Sequence, residues 1–440
     1  MRRFVEKASV EIDILERFSS WLHLRSPRKV IPEIRGGVVT CLDSHISILD
    51  DPSMLEAEWR NLEISGDMTP FQAFDWYASW QRTIGLTHGA TSCIVVGRKQ
   101  TGGIIFILPF TIVRAGPLRV LTWASSEIND YNAPILVKDF SNSVVSKQFA
   151  DAWTIIRNAI TAHQKDRIDF ISFAKMPEAV GMQANPFLQL SVALNASRAH
   201  ATKLPGSWDE LYGRRSSSTR RRDRTKLRRL SEFGEVSFAE PTGTQETLGI
   251  IKKLVDLKTQ HLARIGTTNL FAKPEYGAFL GDIATNHNSR NLIHVSCLRV
   301  GETLAAMNFG LRFRGCYYHV LMSYELGEIG KFGPGAAHLR ELLRNAIESR
   351  MDRFDFTIGD ESYKKEWCDL ELQLYDHLSP CSLRGLVAVA VGKTYLGAKR
   401  RIKNSPLAWR LYRGARLLAG RIRNPTTVKQ NSSIADCASD

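Results

Sequence analysis

The chain has 440 residues, 43% of them hydrophobic, and carries a formal net charge of +14 from 59 basic and 45 acidic side chains. That length exceeds what one hydrophobic core usually organises, and the apolar content excludes wholesale disorder, so two folded domains are expected. Seven scattered cysteines with no Cys-x-x-Cys pair argue against a disulfide framework and point to reduced thiols in the cytoplasm.

Residues 1–50 read as a loosely attached extension, with an amphipathic helix on Val10, Ile14, Phe18 and Trp21 followed by Pro27, Pro32 and Gly36-Gly37. Glu6, Lys7, Glu11 and Asp13 interrupt any signal-peptide core, and the longest apolar run, 386–391, is too short to span a bilayer. Neither secretion nor a membrane span is expected. Leu55, Trp59 and Leu62 then recur at helical spacing, and a second helix carries Trp76, Trp80 and Ile84. Two helices therefore precede the first strand. The β-rich runs 92–98 and 104–114 flank the turn Gln100-Thr101-Gly102-Gly103 as a hairpin, and 118–124 is a third strand. A loop at 130–134, a helix over 144–162, a strand over 167–174 and a last strand near 187–194 complete the first half.

The second half repeats this order. A helix is expected over 246–264, strands over 292–300, 303–313 and 316–324, a glycine-rich loop, a helix over 336–350 and a strand carrying Phe354-Asp355-Phe356. Asp169 and Asp355 fall at equivalent points of the two copies. The expected layout is an extension (1–50), a first α/β domain (51–205), a basic linker helix (206–234), a second α/β domain (235–382), a basic amphipathic helical region (383–423) and a disordered tail (424–440).

The charge is concentrated. Residues 214–229 hold nine basic residues and one acid, and 383–423 hold eleven and none, so the remainder is slightly acidic. The segment at 214–229 lacks aromatic residues between its arginines, which argues against a nucleic-acid arm and leaves two readings, a solvated helix or a linker helix beside an anionic donor or acceptor. The 383–423 region mixes leucines with cations, a pattern that suits either packing on its own domain or contact with an anionic membrane surface.

Chemistry-bearing side chains crowd the stretch 353–370. Phe354, Phe356 and Ile358 alternate with Asp355 and Thr357 as in a short strand, Gly359 breaks it, and Asp360, Glu361, Tyr363, Lys364, Lys365 and Glu366 follow. Asp355 reads either as a turn cap or as a base at the strand's end. In Gly330-Lys331-Phe332-Gly333-Pro334-Gly335, small residues before a helix start leave N–H groups free for phosphate oxygens. Gly385–Thr394 lacks the first glycine of a P-loop, Val387 standing there, and His294 with Cys297 and Cys316 with His319 are spaced so that each pair faces opposite ways on a strand. No metal site is expected.

The pattern Phe-Asp-Phe, Gly-Asp/Glu, Tyr-Lys, aromatic at 354–367 resembles the GNAT-like acyltransferases of the CelD/BcsL family, named for cellulose biosynthesis, and the resemblance extends over roughly 52–410. It implies two tandem GNAT-like acyltransferase domains, α/β with mixed, mostly antiparallel sheets and flanking helices, the first degenerate and the second catalytic. It also implies acyl transfer from acetyl-CoA or another acyl-CoA to an amine or hydroxyl of a glycan precursor. Catalytic candidates are Asp355, Tyr363 and Lys364. Lys331, Gly333 and Gly335 are the donor-binding candidates, and Gly330 stands where the family's donor loop has Gln or Arg. The alternatives are a Fem-like aminoacyltransferase acting on peptidoglycan precursors and a non-catalytic accessory protein of a glycan synthase, each placed in the cytoplasm or peripheral to the inner membrane.

Overall fold

A computed structural model describes residues 39–41, 44–164, 167–265, 269–359, 361, 363–405, 407–408 and 411–412. The expected helix at 10–22, Asp360, residues 413–423 and the tail 424–440 lie outside the described residues.

In chain order, β1 (Val39–Cys41) and β2 (Ser44–Leu49) precede α1 (Glu56–Ser65) and α2 (Phe74–Trp80). The expectation that helices come first is therefore corrected, and 39–41 and 44–49 belong to a sheet instead of a loose extension. Next come β3 (Thr91–Lys99), β4 (Ile104–Ala115), β5 (Leu118–Trp123), β6 (Ile135–Leu136), α3 (Phe149–His163) and β7 (Phe170–Pro177). A small hairpin, β8 (Ala179–Val180) and β9 (Gln183–Ala184), leads to β10 (Val192–Leu194) and β11 (Ala199–Lys203). Pro186–Gln189 forms a 3-10 turn where the expected strand near 187 would have begun, because Asn185 caps it and Pro186 sets its first turn.

The second half runs α4 (Trp208–Gly213), α5 (Ser217–Ser231), β12 (Val236–Ala239), α6 (Thr244–Arg264) and α7 (Pro274–Thr285). It continues with β13 (Ile293–Val300), β14 (Thr303–Phe313), β15 (Cys316–Tyr324), α8 (Pro334–Glu348) and β16 (Arg353–Ile358). Last are α9 (Lys364–Trp367), β17 (Leu370–Leu372), β18 (Leu374–Pro380) and α10 (Leu383–Asn404).

Among the described residues, nine strands form one sheet in the order β1-β2-β3-β4-β5-β7-β18-β10, with β6 on β4, and seven form another in the order β12-β13-β14-β15-β16-β11-β17. Both sheets are antiparallel except where β5 meets β7 and β15 meets β16. The halves thus share one topology, and each is closed by a strand of the other: β18 lies beside β7, and β11 beside β16. Boundaries drawn at 205 and 382 cut across this exchange, which no local periodicity reveals.

Register also corrects the equivalence of Asp169 with Asp355. At the two hairpin turns Ala115 pairs with Leu118 and Phe313 with Cys316, so Val120 corresponds to Tyr318. Val120 pairs with Phe170, whereas Tyr318 pairs with Asp355. Phe170 therefore occupies the Asp355 position. Asp169, one residue earlier, accepts from the Arg119 N–H and the Ser382 hydroxyl.

One apolar cluster joins the halves. Trp76 of α2 meets Phe279 of α7 with ring centroids 4.9 Å apart, and its indole N–H donates to Asn129 Oδ1 at 2.8 Å. Arg82–Asp282 at 2.7 Å and His88–Glu275 at 3.0 Å flank this seam. Trp76→Ala empties the centre of it and is expected to cost about 3–5 kcal/mol, read as a lower urea midpoint with an unchanged slope.

Candidate active site

β15 and β16 pair in parallel only from Cys316 with Arg353 to Tyr318 with Asp355, then part. The break has a local cause. Thr357, a β-branched residue, sits at φ +58 in the left-handed region, and the pairing of β16 with β11 shifts register between His200 and Ala201. Between the parted strands lies a cavity of about 530 Å³, walled by β15 from His319 to Tyr324, by Phe356–Ile358, by the start of α8 and by α5.

The start of α8 faces this cavity. Gly333 takes φ +68 and ψ +54, Pro334 has no N–H, and Ala337 N–H bonds Gly333 O, so the N–H groups of Gly335 and Ala336 begin the helix without intrahelical partners. A Cβ on Gly335 would lie 2.8 Å from Tyr324 Cδ1, so the close approach of helix to strand demands glycine there. Lys331 is not on the cavity wall; it points to Glu328 at 3.9 Å and is half exposed. The cation over the loop is Lys226 of α5, whose Nζ lies 3.9 Å from where a Gly333 Cβ would stand. Arg222, one turn earlier, also lines the cavity.

Several contacts lock α5 into this wall. Arg340 of α8 pairs with Asp223 at 3.4 Å, the Tyr212 hydroxyl donates to Asp223 at 3.3 Å, Leu230 is fully buried, and Phe233 meets Phe332 at 5.8 Å. The Ser216 hydroxyl caps the helix by accepting from Thr219 N–H. The acids on the wall are already matched: Asp223 with Arg340, Glu361 with Lys364 and Glu366 with Arg215. Arg222, Lys226 and Lys258 have no acidic partner among the described residues, which leaves the cavity net positive.

Phe354 and Phe356 pack beneath α8, and Asp355 points to the opposite side. Its Oδ1 accepts from the Tyr131 hydroxyl and from Thr357 N–H, each at 2.8 Å, while Oδ2 has no hydrogen-bond partner among the described residues and lies 3.8 Å from Arg353. Burial pushes this carboxyl up, against the pull of Arg353 and the Tyr131 bond. Asp355 is sealed at the seam between the halves and is not on the cavity wall. Tyr363 is on the wall beside Phe356, and burial raises its phenol. Lys364 is on the wall too, but its Nζ donates to Thr357 O at 3.3 Å and Ile358 O at 3.0 Å and pairs with Glu361 at 3.0 Å. All three of its donors are used, so it pins the turn after β16. Arg215 stacks 4.1 Å over Trp367 and bonds Glu366, holding α9 against α5. The structure thus gathers Gly333, Gly335, Tyr363 and Lys364 around one cavity and leaves Lys331 and Asp355 off it.

Sequence reasoning passed over Lys226 and Arg222 as individual contacts, as well as His319 and Asp130. His319 lines the cavity nearly fully buried, its Nε2 without a partner, and burial together with Lys364 and Lys258 lowers it to about 3. Asp130, in the loop before β6, comes from the other half. It is partly exposed beside Thr357, and burial raises it to about 6 against Lys175 and Lys364. Only tertiary contact signals it: the neighbouring Tyr131 bonds Asp355 across 224 residues. The corresponding place in the first sheet is filled. α3 opens with Phe149 and Trp153, whose rings pack on Phe187 and Phe173 at 4.8 and 5.4 Å.

Residues 217–365 match the family model described as an acetyltransferase (GNAT) domain. The matched segment contains most of the cavity wall, α5 included. The crystal structure of FemX aligns with a TM-score of 0.50 at 9% identity, covering 72% of this chain and 95% of that one. L-PGS from Bacillus licheniformis aligns at 0.45 and 13% identity, over 80% and 98% of the two chains. A tandem GNAT protein from the clavulanic acid biosynthesis pathway aligns at 0.41 and 9%, over 77% and 99%. No curated protein sequence matches. The fold is two GNAT-like domains in tandem, and the protein is an acyltransferase.

A second imidazole, His338 of α8, is fully buried against the Ser296 hydroxyl at 3.1 Å and is lowered by burial to about 3, as is His319. The unfolded chain protonates both near the ordinary value of about 6.5, whereas the fold resists to about 3. Their contribution is therefore whole above 6.5 and is lost as pH falls toward 3. His338→Gln is expected to flatten that acid limb, measured as urea stability across the range.

Proposed function

We propose that the protein transfers an acyl group from acyl-CoA to an amine or hydroxyl, and that the cavity between β15 and β16 holds the donor. The observation that carries this reading is the excess of positive charge at a glycine-opened helix start: Gly335 and Ala336 N–H groups, the α8 dipole, Lys226 and Arg222 converge where a pyrophosphate would lie. The acceptor reading, a sugar or polysaccharide precursor, rests on the CelD/BcsL-like pattern at 354–367.

In the proposed reaction the acceptor's nitrogen or oxygen attacks the thioester carbonyl, its proton passes to a base, and the thiolate departs and is protonated. Tyr363, kept protonated by burial, is assigned as the group that donates to the thiolate. Asp130 is off the cavity wall, as Asp355 is, but it is partly exposed beside Thr357 and raised to about 6, and it is assigned as the base. Asp355 is assigned a positioning role: through Tyr131 and the Thr357 N–H it sets the loop that carries Asp130 and the parting of the strands. Lys364 holds the turn that presents Tyr363.

A Fem-like aminoacyl transfer is the second reading, favoured by the exposed arginines of α5 away from the cavity, Arg221, Arg224 and Arg228. Calorimetry with acetyl-CoA and with aminoacyl-tRNA separates the two. Acetyl-CoA is expected to bind, and the Arg222→Ala and Lys226→Ala variants are each expected to weaken it about tenfold, roughly 1.4 kcal/mol; Gly335→Val should do so at least as strongly. Binding of tRNA alone would transfer the assignment to the second reading.

For the chemistry, Asp130→Asn and Tyr363→Phe are expected to lower kcat by roughly 10²-fold or more with little change in Tm. The wild-type rate should rise with pH through about 6, as Asp130 loses its proton, and the Asn variant should lack that limb. A variant that melts early yet turns over normally when folded would mark its residue as structural.

A further inference from the structure

α10 packs on the first sheet with one face and leaves the other bare. On the packed face a Cβ at Gly385 would overlap the Asp169 carbonyl, Val389 is buried against the cluster of Val113, Leu118 and Phe170, and a Cβ at Gly392 would lie 3.4 Å from Leu378. At about 100° per residue, Leu383, Val387, Ala390 and Ala398 fall on the opposite side and Leu386 on its flank. Leu383, Leu386 and Val387 are 82%, 54% and 53% exposed. A helix whose outer face meets only water carries polar residues there. Here the outer face is aliphatic over its first two turns.

The charge around this stripe has one sign. Arg401 is exposed on that outer side and Lys393 on the flank beside Leu386, and no acid occurs anywhere from 381 to 423. Leu407 and Leu411, 69% and 67% exposed, carry the aliphatic character past the end of α10. Among the described residues no helix is long and apolar enough to cross a membrane. An aliphatic stripe bordered by cations, on a helix that itself carries no acid, has the chemistry of a helix that lies in the headgroup region of a bilayer, with leucines among the acyl chains and lysine and arginine on lipid phosphates.

We propose that α10 is a peripheral docking surface for an anionic lipid bilayer. Charge complementarity selects this occupant: a second copy of the same face would oppose cation to cation. The surface belongs to the first sheet and is independent of the donor cavity.

The test uses the full-length chain, sedimented with vesicles of phosphatidylcholine alone or of phosphatidylcholine mixed with phosphatidylglycerol. Binding is expected only with the anionic lipid and should fall as salt is added. Leu386→Asp with Val387→Asp, and separately Lys393→Glu with Arg401→Glu, are each expected to lower the bound fraction roughly tenfold or more, with Tm and acetyl-CoA binding unchanged. Absence of binding, equal binding to both vesicles, or binding untouched by both variants would overturn the proposal. So would a concentration-dependent dimer, seen by sedimentation equilibrium and abolished by the Asp variants, since it would give the face to a second copy.

Discussion

The cavity depends on how Asp355 holds Thr357. A β-branched residue in the left-handed region is strained by about 1–3 kcal/mol, and Thr357 stays there because its N–H is turned onto Asp355 Oδ1 at 2.8 Å. With that N–H taken out of the sheet ladder, β16 cannot follow β15, and the strands part. The same oxygen accepts from Tyr131, so the parting in the second sheet is held by a residue of the first half. A buried carboxylate left without these bonds would be costly, which makes the two halves conditions of a single site.

Charge then decides what the opening suits. Each acid on the wall is consumed by a structural pairing, and the pairings themselves fix the parts: Asp223–Arg340 seats α5 on α8, Glu361–Lys364 sets the turn after β16, and Glu366–Arg215 seats α9. Of the unmatched cations Arg222 and Lys226 are exposed, while Lys258 is half-buried and donates to Met322 O. Holding like charges together without partners destabilises the unliganded fold slightly, and a phosphate-bearing donor would relieve it.

The halves share one topology and differ in what fills it. Where α8 begins with Gly333, Pro334 and Gly335, α3 begins near Phe149 and Trp153, and five aromatic rings, Phe110, Trp123, Trp153, Phe173 and Phe187, close the space. Aromatic burial of this kind stabilises a core and removes room for a ligand. The exchange of β11 and β18 ties the filled unit to the open one, so the stability of the first supports the strained strands of the second.

Much of this was legible in the residues alone. The strands 303–313 and 316–324 were placed to the residue, because alternation and turn glycines are local properties, and the repeated order of elements pointed to two related units. Gly333 and Gly335 stood out because a glycine-opened helix start carries its own signature, and Tyr363 and Lys364 through the CelD/BcsL-like pattern at 354–367; the structure lines one cavity with all four. What stayed hidden was set by contacts between distant segments. Lys331 has the charge, but Lys226 has the position, because α5 is seated by Asp223 and Phe233 against parts of the chain far along the sequence. Asp355 looked like an open base until Tyr131 covered it, and Asp130 carried no mark until its loop met Thr357. Local pattern determines which element forms; which side chains it meets depends on the register and exchange of strands, and those are decided only when both sheets close.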